Sequence, residues 1–278
     1  MDQTSLAELR TFYTSFGRMP LPDGTRVTET TLGTVPALDV LTPGDDAGVL
    51  LYLHGGGYVV GDARTGVPLA AALASRAGLR TVSVDYRLAP EHPFPAAADD
   101  GLAAYRALLA GADPARVVLA GDSAGGGLAL ATVLAARDAG LPLPAAVATF
   151  SGWFDLTLSG ASLTGKESVD PIFDAADIRG YAATYLPDAD AARDPLASPV
   201  LADLRGLPPL LLQVGSAEVL LDDSTQLAAR AAAADVEVTL EVYPGSAHVF
   251  QHHHATDPTA ERAMDVAAAF LARHSGRA

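Results

Sequence analysis

The chain has 278 residues, 49% of them hydrophobic and 18% charged, which is enough for one large domain over residues 1–278 with an ample core. Its formal net charge of −15 argues against nucleic acid and anionic membrane surfaces as partners, because phosphates would be repelled rather than neutralised. The absence of cysteine excludes disulfides, thiol catalysis and cysteine-based metal sites.

The N-terminal residues show no basic region followed by an apolar stretch, and no apolar run is long enough to span a membrane. We therefore expect a cytoplasmic protein without a membrane partner. The first 22 residues instead carry an amphipathic pattern of apolar side chains, formed by Leu6, Leu9, Phe12, Tyr13 and Phe16.

Beyond that segment, short apolar runs alternate with helical patterns, which predicts an α/β fold with a mostly parallel eight-stranded sheet flanked by helices. The predicted strands cover residues 26–31, 37–41, 49–53, 80–84, 117–121, 145–150, 210–214 and 236–243, and the first two form an antiparallel start. The predicted helices cover residues 67–77, 96–110, 124–139, 222–234 and 258–274. The last strand is expected to offer an edge for pairing in a possible homodimer.

One long segment, residues 155–205, interrupts this alternation and contains a helical stretch at 175–186. Insertions at the carboxyl ends of parallel strands lie beside the place where such sheets bind their ligands. Together with residues 1–22, this insertion is predicted to form a small helical cap.

The sequence Gly121-Asp122-Ser123-Ala124-Gly125 fits the pattern G-x-S-x-G. An apolar β-branched run precedes it and an alanine-rich helical run follows it, so the serine is predicted to lie on a sharp strand-to-helix turn. Such a turn exposes the serine hydroxyl at the top of the sheet, and the small flanking residues let it close. Ser123 is therefore the candidate nucleophile.

A second motif, His54-Gly55-Gly56-Gly57, follows another buried strand. Glycine-rich backbone can direct N–H groups at the negative charge that acyl transfer builds on a carbonyl oxygen. The helix after Ser123 adds the N–H of Ala124. The alternative interpretation is a plain loop with a phosphate-type turn, but neither the P-loop nor the dinucleotide-binding pattern is present.

A serine nucleophile needs a histidine base, and the expected chain order is serine, acid, histidine. His248 follows the last predicted strand and is the favoured candidate, because His54 and His92 lie upstream and His274 lies in the final helix. The remaining run, residues 252–254, is interpreted as a solvated histidine cluster. Its alternative is adventitious metal binding, although the spacing matches no known metal motif.

The acid is expected on the loop after the strand at 210–214. Glu218 lies just beyond that strand and is the favoured candidate. Asp222 and Asp223 precede the next helix and are interpreted as N-terminal caps that complement its dipole.

Taken together, these motifs resemble the bacterial hormone-sensitive-lipase family of α/β-hydrolases. The resemblance spans nearly the whole chain, from about residue 49 to 250. The segments on which the resemblance rests are His54-Gly55-Gly56-Gly57-Tyr58, the run from Asp85 to Ala97, Gly121 to Gly126, Val214 to Glu218, and Gly245-Ser246-Ala247-His248.

The resemblance implies an α/β-hydrolase fold and carboxylic-ester hydrolysis by the triad Ser123, Glu218 and His248, with no cofactor and a small-molecule ester as partner. It also implies oxyanion donors from Gly56, Gly57 and Ala124, with Gly55 as the alternative for one of them. Four features depart from the family: a glutamate replaces the commoner aspartate, Ser151-Gly152-Trp153 stands where relatives often have serine-proline-tryptophan, Val249 follows the histidine, and only 53 residues precede His54.

The shortened N-terminal segment should leave the alcohol side of the site open. The predicted cap should border a closed, short acyl pocket, because no long apolar lid helix is visible. The expected lining of the substrate pocket is Phe12, Phe16, Tyr58, Trp153, Phe154, Phe173 and Val249. Alternative functions are a lactone hydrolase with the same triad, an amidase or peptidase, and a non-catalytic small-molecule binding protein on the same fold.

Overall fold

Eight strands form one sheet in the computed structural model, which describes residues 3–44 and 48–276. They are β1 (Arg26–Leu32), β2 (Val35–Leu41), β3 (Val49–Leu53), β4 (Arg80–Val84), β5 (Val117–Asp122), β6 (Ala146–Phe150), β7 (Leu210–Gly215) and β8 (Val238–Tyr243). Their spatial order is β1-β2-β4-β3-β5-β6-β7-β8. Only the β1–β2 and β2–β4 pairs are antiparallel, so the predicted mostly parallel sheet with an antiparallel start is confirmed.

The helices are α1 (Gln3–Tyr13), α2 (Ala63–Ala77), α3 (Ala96–Leu109), α4 (Ala124–Asp138), α5 (Ser162–Gly165), α6 (Ala175–Tyr185), α7 (Leu221–Ala233) and α8 (Pro258–His274). Helix α5 was not predicted, and among the predicted helices the largest difference is that α2 begins four residues earlier than expected, at residue 63 rather than 67. A capping box explains the earlier start, because the Asp62 side chain accepts the Thr65 N–H and the Thr65 hydroxyl accepts the Asp62 N–H. Within the described ranges, no helix is both long and apolar enough to cross a membrane.

Helices cover both faces of the sheet, and the alternation of side chains along each strand supplies both faces with apolar surface. In β3, Leu51 and Leu53 belong to the core cluster shared with α3, α4 and α7. Leu50 and Tyr52 belong to the cluster shared with α2 and α8. Strands β3 to β7 are therefore buried on both sides, and the carboxyl ends of the parallel strands form the edge at which a site can lie.

Arg10 links the N-terminal segment to the core. Arg10 in α1 donates from Nε to the Val59 carbonyl at 3.1 Å and from Nη2 to the Ala89 carbonyl at 3.0 Å. Its guanidinium also binds both oxygens of Glu91, at 2.8 and 2.7 Å. This ion pair lowers the pKa of Glu91 to about 2, so the pair stays charged at neutral and mildly acidic pH.

We predict that Arg10→Ala loosens α1 without unfolding the sheet. Both partners are partly exposed, so the loss of local stability should be about 1 kcal/mol, or about a fivefold faster amide exchange in α1. Hydrogen–deuterium exchange measures this, with α8 as the internal reference. Arg205→Ala, which removes an exposed pair with Asp203, is the matched control and should leave exchange in α1 unchanged.

Candidate active site

Ser123 lies on the turn between β5 and α4 in a conformation that L residues rarely adopt, with φ 53° and ψ −125°. Its N–H donates to the Phe150 carbonyl at 2.9 Å, and its own carbonyl accepts the Trp153 N–H at 2.9 Å. These two bonds hold the strained backbone from both sides. The serine is half-buried and lines a cavity at the carboxyl edge of the sheet.

Close backbone approach explains the glycines around this serine. A Cβ at Gly125 would lie 2.0 Å from the Leu53 carbonyl oxygen, and one at Gly121 would lie 2.3 Å from the Gly125 carbonyl oxygen. Any side chain at either position would push the turn away from the end of β3. Glycine at both positions therefore lets the nucleophile turn sit against the loop that carries His54.

His248 and Glu218 meet beside this turn. Nδ1 of His248 lies 2.8 Å from Oε2 of Glu218, and the glutamate side chain is completely buried. Oε1 of Glu218 accepts the Gly215 N–H at 3.1 Å, which fixes the carboxylate. Since Nδ1 faces the carboxylate, Nε2 is the nitrogen left to serve Ser123, and both residues line the same cavity.

The two aspartates after Glu218 have a different position from the one expected. Leu220, not an aspartate, occupies the N-cap of α7, so the capping interpretation is wrong. Asp222 accepts the Ser162 N–H at 2.9 Å, and Asp223 accepts the N–H groups of Phe154 and residue 155 at 2.7 and 2.8 Å. Burial raises the pKa of Asp223. Both side chains accept hydrogen bonds from backbone N–H groups of the chain after β6, rather than from the first N–H groups of α7. They therefore link the chain after β6 to α7.

A third aspartate joins the insertion to the acid loop. Oδ1 of Asp170 accepts the N–H groups of Ile172 and Phe173, at 2.8 and 3.1 Å, and Oδ2 accepts the Val219 N–H at 2.8 Å. The Phe173 ring meets the ring of His248 edge to face, with centroids 5.2 Å apart. The insertion therefore touches the candidate base directly and the segment after the candidate acid through Asp170.

The glycine motif presents free donors. Gly56 and Gly57 have φ values of 115° and 60°, and a Cβ at either position would overlap the Val60 carbonyl oxygen or the Tyr181 ring. Among the described residues, no protein acceptor receives the N–H of Gly56, Gly57 or Ala124. Gly55 and Gly56 line the cavity with Ser123, which supports the alternative of Gly55 as a donor.

His54 itself serves this loop rather than the chemistry. Its ring stacks on Tyr86 with centroids 4.2 Å apart, and the Tyr86 hydroxyl donates to the His54 carbonyl at 2.6 Å. Burial lowers the pKa of His54 and keeps the ring neutral. The buried ring of His54 therefore supports the backbone where it turns into the glycine motif.

The cavity has a volume of about 320 Å³. Three of the seven expected wall residues, Phe16, Phe173 and Val249, line it. Tyr13, Met19 and Ile172 also line it and were missed, although Tyr13 belongs to the amphipathic pattern of the N-terminal segment.

The other four expected residues lie elsewhere. Tyr58, Trp153 and Phe154 are buried in the core, where Tyr58 stacks on Tyr185 with centroids 4.0 Å apart. Phe12 is 60% exposed and packs edge-on against Phe16. Apolar character alone did not distinguish a core position from a wall position.

The histidine cluster is not wholly solvated, so that interpretation is wrong. Residues 250–253 form a 3₁₀ turn beneath the N-terminal segment, and His252 and His253 line the cavity. The His252 ring packs against Phe16 with centroids 5.4 Å apart. Burial lowers the pKa of His252.

Comparisons with known proteins agree with this geometry. The family described as "alpha/beta hydrolase fold" matches residues 50–252. The chain is 47% identical to an acetyl-hydrolase of Streptomyces hygroscopicus, over 94% of this chain and 87% of that protein. It is 38% identical to an esterase of Acinetobacter venetianus, over 78% of this chain and 72% of that protein.

Solved structures give the same result. A crystal structure of an esterase from the bacterial hormone-sensitive lipase family superposes with a TM-score of 0.94 at 44% identity, covering 99% of this chain and 94% of that one. A hormone-sensitive lipase from a metagenome library superposes with a TM-score of 0.94 at 41% identity, covering 98% of this chain and 92% of that one. The chain therefore belongs to the alpha/beta hydrolase fold family, as a serine carboxylesterase of the bacterial hormone-sensitive lipase group.

Proposed function

We propose that this esterase hydrolyses short-chain carboxylic esters through an acyl-enzyme on Ser123, with His248 as the base and Glu218 as the acid that orients it. The observation that carries the proposal is the 2.8 Å contact between His248 and a fully buried Glu218, in the loops beside the cavity that Ser123 lines. A non-catalytic binding protein would have no use for this pair.

In the proposed mechanism, Ser123 attacks the ester carbonyl while Nε2 of His248 takes the hydroxyl proton. Glu218 holds the proton on Nδ1, which leaves Nε2 as the acceptor, and stabilises the imidazolium that forms. The free N–H groups of the glycine loop and of Ala124 receive the oxyanion. His248 then protonates the leaving alcohol and activates the water that releases the acid.

The size of the cavity supports small acyl groups. Small-molecule sites span about 300–1,000 Å³, and a cavity of about 320 Å³ lies at the lower end of that range. Ile172 and Phe173 form part of its apolar wall. The acetyl-hydrolase name of the Streptomyces hygroscopicus relative supports acetyl esters as substrates.

Two further expectations stay predictions. Copies of the chain could pair along β8, which has a partner on one side only and exposes 41% of Val242. The second prediction is that the protein is located in the cytoplasm.

We predict that Ser123→Ala lowers ester hydrolysis by at least about a thousandfold while the fold persists, because the triad acts as a unit. Hydrolysis of nitrophenyl acetate measures the loss, and mass spectrometry after organophosphate treatment should find one adduct on the parent enzyme. Ser168→Ala, at an exposed position, is the control and should retain full activity and labelling. Labelling of the Ser123→Ala protein would assign the nucleophile elsewhere.

A second prediction concerns the acid. Glu218→Gln keeps the size of the side chain but removes the charge that stabilises the imidazolium, so kcat should fall by about 10²–10⁴. Asp222→Asn, four residues away on the tether to Ser162, should change kcat by less than about threefold, since a tether on the insertion stabilises no charge in the reaction. The measurement is kcat for nitrophenyl butyrate alongside the thermal midpoint. A larger loss of kcat in Asp222→Asn than in Glu218→Gln would assign the role of the acid to Asp222.

A third prediction concerns acyl length. Each methylene that the pocket buries contributes about 0.8 kcal/mol, so kcat/KM should rise by up to about fourfold per methylene until the pocket is full. Activity on nitrophenyl esters should peak between acetyl and hexanoyl and fall steeply by dodecanoyl. A few lactones in the same panel test the lactone-hydrolase alternative. Efficient turnover of long-chain triglyceride emulsions would refute the short pocket.

A further inference from the structure

His252 lies in the cavity, and the proposed reaction does not use it. Its backbone N–H donates to the Val249 carbonyl at 3.1 Å, which closes the first turn of the 3₁₀ segment at residues 250–253. That turn brings His252 back to the cavity that Ser123, His248 and Val249 also line. His54 and His253 line the same cavity, but His253 is exposed, and the His54 ring contacts the Gly55 carbonyl and stacks on Tyr86.

The two ring nitrogens of His252 are in different surroundings. Nδ1 is closed off from solvent and has no hydrogen-bond partner. Nε2 is not closed off, and no described side chain or backbone group bonds to it. Since the ring lines the cavity, Nε2 is the atom that can meet a bound molecule.

The tautomer of this ring follows from the cost of leaving each nitrogen unpaired. Burial lowers the pKa of His252, so the ring is neutral and carries one proton. A buried N–H without an acceptor is rarer in proteins than an acceptor without a donor. The proton therefore belongs on Nε2, and His252 presents a donor to the cavity.

The position of His252 along the chain identifies which part of a substrate it faces. His248 must reach the leaving oxygen to protonate it, so the wall that continues from His248 borders the alcohol. Val249 and His252 follow His248 within four residues of the chain and line the same cavity. The Phe16 ring packs against the His252 ring, with centroids 5.4 Å apart, and restricts its rotation.

We propose that His252 determines alcohol specificity by donating a hydrogen bond from Nε2 to an oxygen in the leaving group. The preferred substrates are then short-chain esters of alcohols that carry an ether, carbonyl or second ester oxygen. This inference rests on the proposed function. One neutral hydrogen bond corresponds to about a three- to tenfold preference in kcat/KM.

The test uses two acetate esters of matched size, 2-methoxyethyl acetate and butyl acetate, which differ by one oxygen in place of one methylene. Acid release gives kcat/KM for each, and the ratio is divided by the ratio of their alkaline hydrolysis rates to remove leaving-group reactivity. The parent enzyme should prefer the ether ester by about three- to tenfold after this correction.

His252→Phe keeps a ring against Phe16 but has no donor, so the corrected preference should fall to about one. His252→Gln keeps an N–H donor and should retain part of the preference, and it also tests the proposal should the phenylalanine variant fold poorly. His254→Leu is the control, because His254 belongs to the same cluster but does not line the cavity, and its preference should match that of the parent.

Two results would overturn the proposal. One is a corrected ratio that does not change in His252→Phe, and the other is an equal loss on both esters, which would indicate packing alone. Loss of all hydrolysis in Ser123→Ala with an unchanged ratio in His252→Phe would refute the role of His252 and leave the proposed function standing. Absence of hydrolysis of both esters by the parent enzyme would refute the proposed function and, with it, this inference.

Discussion

The site depends on one close contact between two pieces of backbone, the end of β3 and the turn after β5. A Cβ at Gly125 would lie 2.0 Å from the Leu53 carbonyl oxygen, so only glycine lets the turn that carries the candidate nucleophile reach the loop that carries the candidate oxyanion donors. This approach puts Ser123 beside Gly55 and Gly56 at one wall of the cavity. Pairing of β3 with β5 in the sheet holds both loops in register.

The candidate acid and base follow β7 and β8, the last two strands at the other edge of the sheet. Glu218 follows β7 and His248 follows β8, and these strands pair in parallel, so their carboxyl ends bring the two loops together. Complete burial of Glu218 removes water from its contact with the imidazole and strengthens that contact. A glutamate is accommodated because its carboxylate folds back to the Gly215 N–H at the end of β7.

The cavity exists because two segments are tied over this edge of the sheet. Arg10 links the N-terminal segment to Glu91 and to two backbone carbonyls. Three aspartates link the chain after β6 to the loop and helix after β7, and they are Asp170, Asp222 and Asp223. Every one of these contacts joins an arginine or aspartate side chain to backbone or to an opposite charge. Many acidic side chains in this chain of net charge −15 thus have structural partners as well as a solvating role.

The sequence by itself determined the sheet, because apolar runs of strand length between helical patterns are a local signal. Six of the eight strand starts were predicted within one residue. It also identified Ser123, Glu218 and His248 as candidates, since a strand-to-helix turn and a fixed chain order are properties of the chain alone. The contact between Glu218 and His248 is the geometric consequence of that order.

Only the tertiary structure decided which side chains line the cavity. Phe12 and Tyr13 are neighbours on α1, yet Tyr13 faces the cavity and Phe12 faces solvent, because the bonds of Arg10 to the core set the rotation of the helix. Trp153 was expected in the wall but lies in the core, and His252 was expected in solvent but lies in the wall. Hydrophobicity measures the tendency of a side chain to leave water, whereas the neighbour it meets depends on contacts between segments far apart in the chain.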